Sequence, residues 1–220
     1  MIENEHINFK FITRYIRSLI NDDIKKLYDF AHNRDIPVAK PETTKLLYIL
    51  AMTKKPKRIL ELGTGIGCSA IILSRASENA EIITVEKDEN NYKDALLMFE
   101  ENNLSGRITA INGDTLEVLK EKAAKNEKFD FIFLDSAKGQ YLDCYPYLTE
   151  LLEKDGILVT DNVLYAGMVA NDELIEHRKR TIVKRLREYL DKLHSDKTLE
   201  TVVVPVGDGV AISYKKTEEN

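Results

Sequence analysis

The chain has 220 residues, long enough for one α/β domain with a well-buried core and too short to presume two. Hydrophobic residues make up 43% and charged residues 31%, ordinary values for a globular protein that exclude wholesale disorder. The formal net charge of −5 argues against binding nucleic acid by charge alone and leaves room for a local basic face.

The N-terminal MIENEHINFK has no signal-peptide apolar segment, and no apolar run approaches the roughly 18 residues of a membrane span. A cytoplasmic protein is therefore expected. In FKFITRYIRSLI, Phe11, Ile12, Tyr15, Ile16, Leu19 and Ile20 have helical spacing, with Lys10, Arg14 and Arg17 on the other side. A second helix capped by Asn21 or Asp22 carries Ile24, Leu27, Tyr28 and Ala31. A short extended link follows, and Pro41 opens a third helix. The whole chain reads as a single domain, with a helical cap over 1–52 and an α/β core over 53–216; only the tail KKTEEN looks disordered.

From residue 58 strand and helix patterns alternate. Strands are expected at 58–63, 81–86, 107–112, 129–135, 156–161, 200–206 and 209–215, as near-continuous apolar runs suited to a sheet covered on both faces. Helical stretches separate the first six. Only Gly207-Asp208 separates the last two, which permits a hairpin and not a crossover, so the sheet ends with one antiparallel strand. Cys68 and Cys144 match no metal spacing and read as free thiols in a reducing compartment, and four scattered histidines offer no zinc site.

ELGTGIGCS, Glu61 to Ser69, follows a strand and opens a helix, so its glycines allow a tight turn with backbone N–H groups facing a ligand. Its G-x-G-x-G spacing disfavours a dinucleotide, whose third glycine would fall at Cys68. The second strand ends in Glu86, placed to accept both ribose hydroxyls of an adenosine. A solvated strand end is the plainer alternative. The third strand ends in NGD, where Asp114 can face an adenine amino group. The fourth and fifth end in LDSAK and TDN, so Asp135, Asp161 and Asn162 offer three oxygen donors at the ligand-binding edge of the sheet, a set suited to a Mg²⁺-like ion. Taken singly, Asp161-Asn162 is a turn and Lys138 a surface lysine.

ELGTGIG, VEKD and NGD together resemble the S-adenosylmethionine pocket of class I methyltransferases, from about Ile36 onward. That resemblance implies a Rossmann-like fold with a seven-stranded, mostly parallel sheet and the last strand antiparallel. It also implies cofactor contacts from Val38, Glu61, Gly63, Gly65, Gly67, Ser69, Glu86, Asp114 and Asp135. LDSAKGQY, TDNV and PVGDGVAIS resemble the metal-dependent O-methyltransferases related to catechol and caffeoyl-coenzyme A methyltransferases. By that resemblance Asp135, Asp161 and Asn162 hold Mg²⁺ (or Mn²⁺ or Ca²⁺), Lys138 is the general base beside Asp135, and the enzyme is a homodimer. A nearby divalent cation disfavours the charged form of a lysine, and two neighbouring acceptor oxygens can chelate the ion.

The catechol enzymes carry a tryptophan where this chain has Ala137, and the chain has no Trp at all. DSAKGQY resembles instead the bacterial tRNA 5-hydroxyuridine methyltransferases, which implies an acceptor in the tRNA anticodon region whose O5 and O4 are neighbours. Basic faces at Lys10, Arg14, Arg17 and at Arg180, Lys184, Arg187 would meet phosphates, or would simply be solvated. A catechol-like or hydroxycinnamoyl small molecule is the alternative acceptor. A non-catalytic nucleotide-binding module is the alternative of another class.

Overall fold

The computed structural model describes residues 38–217 and, ahead of them, Arg14, Tyr15 and Ser18. Those three are helical and exposed, including Tyr15, which the spacing placed on the apolar side; a phenol is amphipathic and tolerates water. The rest of the first two expected helices, with Lys10 and Arg17, lies outside the described residues. Pro41 opens α1 (Pro41–Lys54), where its missing N–H leaves no helical bond unmade, and Lys55 ends it in a left-handed conformation.

Beyond α1 the chain alternates as the apolar runs predict. β1 (Arg58–Leu62), β2 (Glu81–Glu86), β3 (Ile108–Asn112), β4 (Phe129–Leu134), β5 (Leu152–Thr160), β6 (Leu199–Val204) and β7 (Val210–Lys215) form one sheet in the order β3-β2-β1-β4-β5-β7-β6. The crossovers are α2 (Cys68–Ala76), α3 (Glu89–Glu101), α4 (Thr115–Ala124), α5 (Tyr141–Leu151) and α6 (Arg180–Ser195). β7 is antiparallel, and it lies between β5 and β6 instead of at the edge.

β4 is central because it is apolar on both faces: Phe131, Ile132, Phe133 and Leu134 are all fully buried. Phe131 and Phe133 join Leu47, Ile59, Ile71 and Phe99 in one core; Ile132 and Leu134 join Leu60, Tyr141, Leu158 and Leu186 in the other. Each such burial contributes roughly 1.5–3 kcal/mol.

Three expectations shift. The link between β6 and β7 is residues 205–209, longer than two residues, because Pro205 has no N–H for the ladder and Gly207 and Gly209 adopt left-handed φ. β5 starts at Leu152, pairing Phe129 before a register irregularity. Lys215 belongs to β7, the Lys216 N–H bonds Thr198 O, and Thr217 donates to Asp155, so the described part of the tail is tied down.

Strand order reverses between β1 and β4, and the two strands are pinned at both ends. At their start, Asp130 Oδ2 accepts the N–H groups of Lys57 and Arg58 at 2.8 and 2.9 Å. At their carboxyl ends, the Asp135 N–H donates to Leu62 O at 2.8 Å and Gly63, with φ 104°, rests on the Asp135 carbonyl. A Cβ on Gly63 would stand 2.0 Å from that oxygen, so one of the strand ends would have to move. Gly63→Ala is expected to cost at least about 2 kcal/mol in strain and clash, or roughly 4–8 °C in Tm. Thermal melts of the two proteins check this.

Candidate active site

A parallel sheet whose order reverses between neighbours leaves a crevice at the carboxyl ends of those strands. Here that crevice is a cleft of about 720 Å³. Of the residues singled out in the sequence, Val38, Gly63, Gly65, Ser69, Glu86, Asp114, Asp135, Lys138 and Asn162 line it, with Ala137 beside them. Glu61, Gly67 and Asp161 do not. Gly67 abuts the Phe99 ring, where a Cβ would come within 2.5 Å, and so serves the packing of α2 on α3.

On the cofactor side, the carboxylate of Glu86 accepts the N–H of Gly65 and of Asp88, each at 2.8 Å. These bonds fix its orientation and leave further lone pairs for hydroxyls. Asp114 caps α4 through the Leu116 N–H at 3.0 Å and pairs with Lys87 at 2.9 Å. The Lys87 ammonium holds its carboxyl below the usual range. The Gln140 amide also reaches Asp114, at 3.4 Å. Lys87, within VEKD, and Gln140, within DSAKGQY, carry no role in the sequence reading, because their partner Asp114 lies 27 and 26 residues away.

Beneath the glycine turn Glu61 is fully buried, in register with Thr84 of β2. The Thr84 hydroxyl bonds its Oε2 at 2.5 Å, and Thr64 is within 2.6 Å of Thr84. Oε1 has no partner. Burial pushes this carboxyl up to about 7.

The other side of the cleft is built by the ends of β4 and β5. Asp135 stands one residue past β4, with Lys138 Nζ 3.7 Å from its Oδ1. Burial raises the Asp135 carboxyl and the lysine charge opposes the rise. Asp161, 1% exposed, follows β5; its Oδ1 accepts the Asn162 N–H at 2.7 Å while Oδ2 is buried and unpartnered. Burial, and then the Asp135 charge, push Asp161 up to about 7. Two carboxylates driven toward neutrality, with an amide from Asn162 alongside, form a hard oxygen donor set that fits a divalent cation such as Mg²⁺ and not zinc. No group of three or more His, Cys, Asp or Glu is placed to hold a metal among the described residues, so a cation here would depend on the Asn162 amide as well as the two acids.

The family model for O-methyltransferases matches residues 16–216. The chain belongs to the O-methyltransferase family. It is similar to caffeoyl-CoA O-methyltransferase of Populus kitakamiensis, 27% identical over 192 residues covering 85% of this chain and 80% of that one. Tricin synthase 2 of Oryza sativa subsp. japonica is 25% identical, over 85% of this chain and 66% of its own. Among solved structures, a candidate caffeoyl-CoA O-methyltransferase from Staphylococcus aureus superposes with TM-score 0.85 at 29% identity, over 93% of this chain and 99% of that one. An O-methyltransferase from Bacillus cereus in complex with SAH has the same fold, with TM-score 0.81 at 23% identity over 93% and 97%. The reaction is thus transfer of a methyl group from S-adenosylmethionine to an oxygen, which sets aside the non-catalytic module.

In this methyltransferase the second basic face is partly occupied. Arg187 bonds Val169 O at 2.9 Å, Met168 O at 3.3 Å and Asp172 at 2.6 Å, and Lys184 faces Glu188 at 3.7 Å. Cys68 and Cys144 are buried and form no disulfide. No helix among the described residues is long and apolar enough to cross a membrane.

The burial of Glu61 makes a pH prediction. Its folded-state pKa, about 7, lies above the unfolded value of 4.5, so between those pH values the folded state binds more protons. The contribution of Glu61 to stability is fully present below about pH 4.5 and is lost as pH rises through 7. Glu61→Gln should remove up to about 3 kcal/mol of that loss. The variant should match the wild-type Tm at pH 4.5 and exceed it at pH 8, in melts without cofactor.

Proposed function

We propose that the protein, acting as a homodimer, uses a divalent cation to methylate one of two vicinal oxygens, and that its acceptor is the wobble 5-hydroxyuridine of tRNA. The observation carrying the chemistry is the convergence of Asp135, Lys138 and Asn162 on the wall of the same cleft as the glycine turn, above the unpartnered Asp161 Oδ2. S-adenosylmethionine supplies an electrophilic methyl group on a sulfonium. A cation held by Asp135, Asp161 and Asn162 would acidify and orient a coordinated hydroxyl. Glu86 takes the ribose hydroxyls, the glycine turn brings its backbone against the cofactor, and Lys138, as the neutral amine that a neighbouring divalent cation favours, accepts the proton of the reacting hydroxyl and becomes the ammonium.

Ala137 supports the tRNA acceptor. It lines the cleft where the catechol enzymes have a tryptophan wall, so a flat small ring would lose its expected contact. Phosphate contacts would fall to Arg14, Arg180 and Lys184, all exposed, because Arg187 is engaged within the protein. The second reading is a catechol-like or hydroxycinnamoyl small molecule, favoured by the substrates that the relatives' names carry.

Purified protein is given labelled S-adenosylmethionine with hypomodified tRNA, a catechol or caffeoyl-CoA, in Mg²⁺ or in chelator. Label should enter tRNA, vanish in chelator and return with Mg²⁺. Activity undiminished by chelator would overturn the cation's role, and turnover of a small molecule without tRNA labelling would overturn the acceptor. Asp161→Ala should abolish calorimetric Mg²⁺ binding. Lys138→Met should lower kcat by roughly 10²–10⁴-fold while cofactor affinity stays within about twofold; a loss of binding instead would assign Lys138 to the pocket.

A further inference from the structure

Lys138 stands at the head of a one-turn 3₁₀ helix, Lys138–Gln140, that runs directly into α5. Neither Ala137 before the turn nor Gln140 before α5 provides a side-chain cap. The residue after Lys138 is Gly139, where a Cβ would meet nothing within 4 Å, so side-chain packing does not hold the turn at that point. A glycine in such a place leaves the backbone free to take several conformations.

Two long-range side chains reach this turn: Asp114, which accepts the Gln140 amide at 3.4 Å, and Arg185, which makes the shorter bond. Arg185 of α6 directs Nε to Gly139 O at 2.6 Å and Nη2 to Asp143 Oδ2 at 2.5 Å. A planar guanidinium that satisfies a turn carbonyl and a carboxylate in the first turn of α5 fixes both position and orientation, which an ammonium cannot do. The bond bridges 46 residues of sequence and is part-buried. Residues two apart on a helix do not share a face, and Arg187 accordingly reaches a different segment, the loop after Asn162. α6 thus holds the lysine turn with one arginine and the loop after Asn162 with the other.

We infer that Arg185 is a positioning residue for the methyl transfer: by holding Gly139 O it keeps the Lys138 turn where Nζ stands beside Asp135 and faces the acceptor oxygen. This rests on the reading of Lys138 as the base. Arg185 does not line the cleft, so its loss lowers kcat and leaves both KM values in place.

The test is a double-mutant cycle in the acceptor assay above, using whichever acceptor is turned over, with amide exchange as a readout independent of turnover. Arg185→Met should lower kcat by roughly 10–100-fold, with KM for S-adenosylmethionine and acceptor within about twofold. On a Lys138→Met background it should cost nothing further, because a residue acting through Lys138 has nothing left to position. Asp143→Asn, which spares the bond to Gly139 O, should stay within about threefold of wild type. Exchange in a peptide spanning 136–143 should quicken in Arg185→Met and not in Asp143→Asn. Where Arg185→Met does not fold, Arg185→Lys takes its place, with a lowered kcat and unchanged KM expected. A wild-type kcat in the Arg185 variant beside an inactive Lys138→Met, an additive double mutant, or unchanged exchange in that peptide would overturn the inference alone. A Lys138→Met enzyme of near wild-type kcat would overturn the reading of the base, and the inference with it.

Discussion

The contact of Gly63 with the Asp135 carbonyl is the constraint on which the site depends. β1 delivers the glycine turn and β4 delivers Asp135, and only with no side chain between them can the two strand ends lie together. From that pairing follows the neighbourhood of the glycine turn, Asp135 and Asn162 in one cleft. The apolar faces of β4 supply the rigidity: residues packed into both cores cannot shift to relieve a clash at the strand's end.

Charge is concentrated where burial makes it costly. Glu61, Asp135 and Asp161 lie at the carboxyl edge of three adjacent strands, and burial raises all three. A fold selected for stability alone would fill such positions with apolar residues. Buried acids beside a cleft mark it as a place for a ligand, and the arginines of α6 tie the two flanking segments back to the scaffold.

The strands were legible because a strand covered on both faces must be an unbroken apolar run, and three of the acids were legible because the runs at 81–86, 129–135 and 156–161 stop at Glu86, Asp135 and Asp161. Legibility failed where a residue's partner lies far along the chain. Arg187 has the helical spacing of a phosphate-binding face, yet its hydrogen bonds go to Val169 O, Met168 O and Asp172. Helical periodicity assigns a side, not a partner. The β6–β7 link was read too short because Val203, Val204 and Val206 continue the apolar pattern through Pro205, which ends the ladder by lacking an N–H.

The sequence by itself determined the order of strands and helices, the glycine turn, the oxygen donors at Asp135, Asp161 and Asn162, and the alanine at 137. These are local: each depends on residue type and on spacing within one element. Tertiary structure alone decided that β7 inserts between β5 and β6, that Glu61 lies under the turn instead of in the cleft, and that Arg185 closes on Gly139. The reason is that burial and hydrogen-bond partnership are set by what other elements bring, and a local pattern carries no record of a neighbour 46 residues away.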